Sequence, residues 1–393
     1  YDDSNFDQVF QNGHFLENNI SLSAGNVNST AFFSISDLNQ QGIIRNNSDY
    51  RRTTVRFNGE HMLTEKFRVN ANTTYTRSES NRIRRGASSS GFYLGLLRNA
   101  PDFDISGYRG DYYASSNAAP VSNRHRSYRE PLGADATPTY NNPLWTINEQ
   151  ENLATVNRFI NTFKLTYSPT SKIDLIARFG LDHYSEVREE FMTPGSAAGE
   201  FRTGFFSSEL ASNTVFNMDY IAKASHNITG NLSVSGLVGF NFNQKSLKVD
   251  GSEISGFIQF TDVASPTRDI DNALPENRVV QSTYGIERTV GVYSSVTFSA
   301  YDQLFLTGTI RSESASTFGD EADNTFLFPS TSLAWQFQDL LDIEPISFAK
   351  LRVSYGEVGV QPARYNTTNN YVSPTYSDQY GGGLSLGLYG NGG

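Results

Sequence analysis

Between Ile173 and Leu181 every second residue is apolar. Ile173, Leu175, Ala177, Phe179 and Leu181 alternate with Asp174, Ile176, Arg178 and Gly180, and Asp182 follows. A period of two belongs to a β-strand whose two faces meet different surroundings. The same alternation recurs along the chain and predicts strands near 15–24, 30–40, 49–60, 66–77, 156–168, 172–186, 213–225, 231–245, 286–300, 303–314, 325–337 and 347–358. Each approaches or exceeds the ~9–11 residues that a tilted strand needs to cross hydrocarbon. The competing helical signal is short, GFYLGLLRNA at 91–100.

The connections sort by length. Short ones are GNVNS (25–29), MLTEK (62–66), PTS (169–171), HNITG (226–230) and YD (301–302). Between them lie QGIIRNNSD (41–49), a long stretch from Ser78 to Thr155, and loops at 187–212, 246–285 and 315–324. A modest link at 338–346 and a tail from 359 complete the series. Short turns on one rim and longer loops on the other describe an all-β transmembrane antiparallel β-barrel. The apolar face of each strand is then expected to meet lipid and the polar face a wet lumen, since strands persist in lipid only when the sheet closes. On this sorting the first and last strands both leave their free ends at the long-loop rim, whereas bacterial barrels keep both termini at the other. The chain is therefore expected to be part of a barrel domain spanning 1–393, with strands over 15–358, a long outer loop at 78–155 and an outer-loop tail at 359–393.

Composition agrees. The 393 residues carry a formal charge of −10, a hydrophobic fraction of 37% and 13% aromatics, with no cysteine. That is sparse in apolar residues for a two-sided soluble core of this length. No apolar run reaches the length of a spanning helix. There is no signal peptide and no initiating Met, so the numbering is expected to begin inside a longer precursor. Lack of cysteine excludes a disulfide scaffold and a thiolate metal site, and the acidic balance argues against nucleic acid as a partner.

Candidate chemistry is thin. His14, His61, His125, His183 and His226 are scattered, without the paired spacing of a metal site. No serine–histidine constellation stands out for nucleophilic catalysis. His183 falls on the apolar side of its strand near the outer rim, as an interfacial histidine would. GGG at 381–383 and GNGG at 390–393 have no Lys-Ser/Thr after them and read as loop. No catalytic group, metal or cofactor is expected. The polar positions say more: Arg56, Arg68, Lys164, Asp174, Arg178, Asp182, Arg311 and Arg352 lie between apolar neighbours and should line the lumen. They suit either guidance of a hydrated solute and a plug, or ion-pair ladders that stiffen the wall. In the long loop, Phe92, Tyr93, Arg124, Arg126, Tyr128, Tyr140 and Trp145 suit contact with a ligand or lid protein, or packing of the loop onto its own barrel mouth.

Several stretches carry a resemblance. FDQVFQNGHFLENNISLSAGN (6–26), FFSISDLNQQGIIRNNSDYRRTTVRFN (32–58), NRHRSYREPLG (123–133), TYNNPLWTINEQ (139–150), VNRFINTFKLTYSPTSKIDLIARFGLDHYSE (156–186), LFLTGTIRSESASTFG (304–319), FPSTSLAWQF (328–337) and KLRVSYGEVGVQP (350–362) resemble, in order, the SusC/RagA family of TonB-dependent outer-membrane transporters of Bacteroidetes-type bacteria. One departure is SESAS at 312–316, where that family usually has Asp-Gly-Ser-Ser. The resemblance implies a barrel of about 22 strands, of which this chain would supply roughly the second to the thirteenth. It also implies an N-terminal plug and a TonB-binding segment outside this chain, and a SusD-like surface lipoprotein as lid.

Two functions follow as expectations. One is a transporter importing a large solute, glycan or peptide, with a SusD-like lid and TonB energy. The other is a SusC-like barrel recruited as a structural subunit of a larger outer-membrane assembly or secretion complex. A passive porin is a weaker third, and an enzyme the least expected.

Overall fold

In the computed structural model the described residues are 4–84, 88–113, 117–129, 138–259, 268–318, 323–337, 348–367, 370–372 and 385–388. After a short helix α1 (Ser4–Val9) the chain forms β1 (His14–Gly25), β2 (Ser29–Gln41), β3 (Asp49–Thr64) and β4 (Phe67–Asn81). The long outer loop carries α2 (Phe92–Arg98), the hairpin β5 (Arg109–Tyr112) and β6 (Val121–His125), and α3 (Pro143–Glu149). Then come β7 (Glu151–Thr170), β8 (Ile173–Met192), β9 (Phe205–Thr229), β10 (Leu232–Ser255), β11 (Arg278–Ala300), β12 (Leu304–Ala315), β13 (Thr325–Gln336) and β14 (Lys350–Gly356). Two short strands, β15 (Asn370–Val372) and β16 (Ser385–Leu388), pair apart from these.

The twelve long strands build one sheet in chain order, β1-β2-β3-β4-β7-β8-β9-β10-β11-β12-β13-β14, every neighbour antiparallel. Register decides what each face carries. Ala71, Phe163, Phe179, Met218, Phe242 and Val290 are successive partners across six strands, forming one row of an apolar face. Aromatic pairs reinforce this face: Phe67 stacks on Tyr167 at 4.5 Å and Phe179 meets Tyr220 edge-on at 6.0 Å. Its large side chains stay open to their surroundings: Leu22 is 67% exposed, Phe57 43% and Leu306 47%. Nothing among the described residues covers them, so the apolar surface belongs against a non-aqueous partner.

From Ile173 to Leu181 the apolar run covers about 27 Å along the strand at ~3.4 Å per residue. A tilt near 40° reduces this to about 20 Å, close to the band of an outer-membrane barrel. Beyond that band, toward the long loops, the same face turns polar. Asp37 accepts from Thr53 at 2.7 Å, Arg77 pairs with Glu79, Lys248 pairs with Asp250, and Arg288 donates to Gln244. His183 meets the Thr214 hydroxyl at 2.8 Å at the same boundary, beside this polar zone.

The strands run further toward the long loops than alternation predicts. β7 begins at Glu151, β8 ends at Met192, β9 begins at Phe205, β10 ends at Ser255 and β11 begins at Arg278. These extensions rise beyond the apolar run, and the apolar residues scattered on them, Val187, Leu210, Val279 and Val280 among them, keep no period of two. The loops anticipated at 187–212 and 246–285 shrink accordingly to 193–204 and 256–277. The helix expected at 91–100 is α2, Phe92–Arg98. The link 338–346, the glycine runs at 381–383 and 390–393, and residues 130–133 lie outside the described residues.

Candidate functional site

All eight polar residues singled out along the strands share the face opposite the apolar one, because each sits at the alternate parity of its strand. One row is continuous across eight strands. Glu60, Asn70, Lys164, Arg178, Asp219, Asn241, Gly291 and Glu313 stand opposite one another in turn. Asp219 is its anchor. Arg178 donates to Asp219 Oδ2 through Nε at 3.0 Å and Nη2 at 2.7 Å, while Asn241 donates to Oδ1 at 2.9 Å. The Asp219 side chain is only 5% exposed, whereas that of Arg178 is 50% exposed.

The network continues to β12. Arg311 donates to Glu313 at 2.7 Å and to Asn241 at 3.3 Å, with its guanidinium 5.7 Å from the Tyr293 ring. Two glycines make room for it. A Cβ on Gly239 would lie 2.3 Å from the Tyr293 ring, and one on Gly291 would lie 2.7 Å from Arg311 Nη2. At the other end Arg68 pairs with Glu60 at 3.4 Å, and Glu60 also accepts from Asn70. Arg158 grips Asp182 through two bonds of 2.9 and 2.6 Å, and Asp174 accepts from Ser168 at 2.6 Å. Arg56, Lys164 and Arg352 form no ion pair among the described residues. Lys164 stands directly opposite Arg178, and of the two cations only Arg178 is paired with the Asp219 carboxylate. Like charges so placed are repulsive, and Asp219 offsets only one of them.

The outer loop packs with α1 and the β2–β3 loop around a separate core. Val9, Phe92, Leu96, Ile105, Leu144 and Ile147 are buried together, with Phe10, Ile44 and Phe103 against them. The sequence NNPLW builds its centre. Asn142 caps α3, accepting from the Leu144 N–H at 2.9 Å, and Pro143 follows as the first helical residue. The Asn142 amide donates to the carbonyls of Ile105 and Arg126, while Asn141 accepts from the Ala197 N–H at 2.7 Å and donates to Ser90 O. Trp145 donates from Nε1 to Ser196 Oγ at 3.1 Å. Thus α3 locks the long loop onto the neighbouring loop 193–204.

His125 completes that lock, and the scattered spacing of histidines gave no hint of it. Its ring is fully buried, 4.8 Å from Trp145. Nε2 accepts from the Asn142 backbone N–H at 2.8 Å, leaving Nδ1 to donate to the Gly195 carbonyl at 3.1 Å. Burial pushes its pKa down to about 3, against which the Gly195 bond works only weakly.

This placement corrects the reading of the loop aromatics. Phe92, Tyr140 and Trp145 are 4%, 1% and 0% exposed and pack the loop onto itself, so they offer no surface to a ligand or lid. Tyr140 reaches back to the Arg98 carbonyl at 3.0 Å. Tyr93 and Tyr128 are exposed, and Arg124 and Arg126 half-buried. Arg126 lies over Phe103 at 4.9 Å and Tyr128 meets the same ring edge-on, giving an aromatic and cationic patch on the loop surface.

Comparison with known proteins places the chain. It is 23% identical to TonB-dependent receptor P26 of Formosa agariphila over 97% of this chain, and 23% identical to TonB-dependent receptor P3 of the same organism over 98%. The chain spans 37% of the length of each of those relatives. Among solved structures, the RagAB peptide transporter matches with a TM-score of 0.76 at 16% identity, covering 100% of this chain and 42% of that one. The RagAB peptide importer in its closed-closed state matches with a TM-score of 0.74 at 15% identity, with the same coverage. These likenesses bear out the SusC/RagA-like barrel fold. The TonB dependent receptor-like β-barrel model matches residues 92–393, and the chain belongs to that family.

Proposed function

We propose that this chain is the wall and outer mouth of an outer-membrane transporter that imports a large solute, a glycan or a peptide. A SusD-like lipoprotein would act as its lid and TonB as its energy source. The carrying observation is the division of one twelve-stranded sheet into an apolar face and a face bearing the Glu60–Glu313 polar row. In a barrel of this family the first meets acyl chains and the second a wet interior. Arg56, Lys164 and Arg352 then present unneutralised cations to that interior. Arg68, Arg178, Asp182 and Arg311 stiffen its wall through their pairs. Of the loop residues singled out, the exposed Tyr93 and Tyr128 and the half-buried Arg124 and Arg126 would meet a solute or lid. The work is binding and translocation, with no covalent step on the solute.

The test is uptake in cells. Deleting the gene should abolish import of one class from mixed glycans and peptides, and depletion of TonB should do the same. A SusD-like lipoprotein should co-purify with the intact receptor. Unchanged uptake together with co-purification of a barrel-assembly or secretion component would replace the importer with a scaffold.

A further inference from the structure

The apolar face is not uniform. Near the short turns it holds a depression of about 520 Å³ whose lining is almost wholly apolar. Two adjacent rows of partners frame it. One is Leu165–Ala177–Tyr220–Phe240 and the other Tyr167–Leu175–Ala222–Val238. Ala177 and Ala222 form the low floor between Tyr167 on one side and the projecting Tyr220 and Phe240 on the other. The depression reaches across β7 to β11. At ~4.8 Å per strand spacing that is about 19 Å across the strands; with the strands tilted near 40° about 12 Å of it lies along the membrane normal, within the ~15 Å of one leaflet's half of the hydrocarbon core.

One end of this groove is basic. His226 continues the outward-facing positions of β9 from Tyr220 and Ala222 to the rim, and Lys172 Nζ lies 3.4 Å from its Nδ1. Both side chains are exposed, and neither is paired with a carboxylate among the described residues. Asp174, the nearest acid along β8, points to the other face, where it accepts from Ser168. An apolar depression that rises through most of one leaflet, with two nitrogen donors on its rim side at the interface, is complementary to a chain with an anionic head.

We propose that a phospholipid of the short-turn leaflet binds here, with one acyl chain in the groove and its phosphate held by Lys172 and His226. The inference needs only the membrane setting of the barrel, not the import function. Native mass spectrometry of the intact receptor, extracted in mild detergent, tests it. The wild type should retain one phospholipid. Ala222→Trp, which fills the floor, and Lys172→Glu, which repels the phosphate, should each lower the retained fraction at least tenfold. Ala71→Trp, on the same face but outside the groove, should leave it unchanged. Heat-modifiable migration on gels reports whether each variant is folded; if Ala222→Trp fails to fold, the rim substitution Lys172→Glu carries the test. Stripped receptor offered phosphatidylglycerol or lipid A should rebind the former. Equal retention in Lys172→Glu and wild type, or preference for lipid A, overturns the proposal.

Discussion

The backbone N–H of Asn142 donates to Nε2 of His125 at 2.8 Å, so the first turn of α3 depends on a neutral imidazole. Protonation at Nε2 would put a second donor where an acceptor is needed, inside a fully buried site. With a folded pKa of about 3 against a usual 6.5, the unfolded loop binds the proton first as pH falls. Stability is therefore complete above about pH 6.5 and drains away toward pH 3. At pH 5 the loss is about 2 kcal/mol, from ~1.4 kcal/mol per pH unit below the unfolded pKa. Between pH 7 and pH 5 the protection factor at Asn142, observed exchange corrected for the intrinsic pH dependence of amide exchange, should fall by roughly 30-fold, and proteolysis within 82–150 should accelerate. His125→Asn should loosen the loop at both pH values and remove most of that pH dependence.

Phe179 and Gly180 are neighbours in sequence and lie on opposite faces. Phe179 packs edge-on to Tyr220 in the apolar band, while a Cβ on Gly180 would have no contact closer than 3.8 Å, from Asn217. Phe179→Arg should therefore cost roughly 2–4 kcal/mol of barrel stability, the range for a cation at the middle of a lipid-facing wall. Gly180→Arg should cost less than about 1 kcal/mol, since the added charge reaches water. Urea titrations of folded fraction in lipid vesicles measure both, and equal costs would reverse the assignment of the two faces.

These contrasts show what the sequence carried and what it did not. Alternation at Ile173–Leu181 sufficed to place strand β8, because one side of it meets lipid and the other water. The same test loses force at Phe205–Ser212 and Ser246–Ser255, which extend past the apolar run and show no regular period of two. In the outer loop, an aromatic residue reads alike whether it faces outward, as Tyr93 does, or is the core, as Trp145 is. The available signal there was Asn142 before Pro143, an N-cap followed by the residue best suited to the first helical position. Pairings such as Arg178 with Asp219 depend on register across a long connection, which composition does not encode.

That pairing makes a prediction of its own. Asp219 holds Arg178 and Asn241 together from a nearly closed position. Asp219→Ala leaves a guanidinium beside Lys164 with no counter-charge. Because Arg178 is half exposed, water recovers part of the loss, and the expected cost is about 1–2 kcal/mol rather than the 3–5 of a fully buried pair. Combining Asp219→Ala with Arg178→Met should be less damaging than the sum of the single changes, by at least about 0.5 kcal/mol. Unfolding midpoints of the four proteins in one urea series give that coupling; strict additivity would mean the contact contributes nothing.

Gly239 owes its identity to Tyr293, its opposite number on β11. The phenol ring lies over the glycine, and any Cβ there would stand 2.3 Å from it. Gly239→Val should then cost about 1–3 kcal/mol, as overpacked sites do, despite the high strand preference of valine. Gly308→Val is the matching control, since a Cβ at Gly308 meets nothing within 4 Å and the new side chain would join the apolar face. It should be neutral or slightly stabilising. Removing the ring separates the two explanations for any loss at Gly239: if the clash is the cause, adding Tyr293→Ala to Gly239→Val should restore stability, while if valine is harmful in itself the double variant should be the weaker. Because Tyr293 also flanks Arg311, recovery should stop short of wild type by the cost of Tyr293→Ala alone.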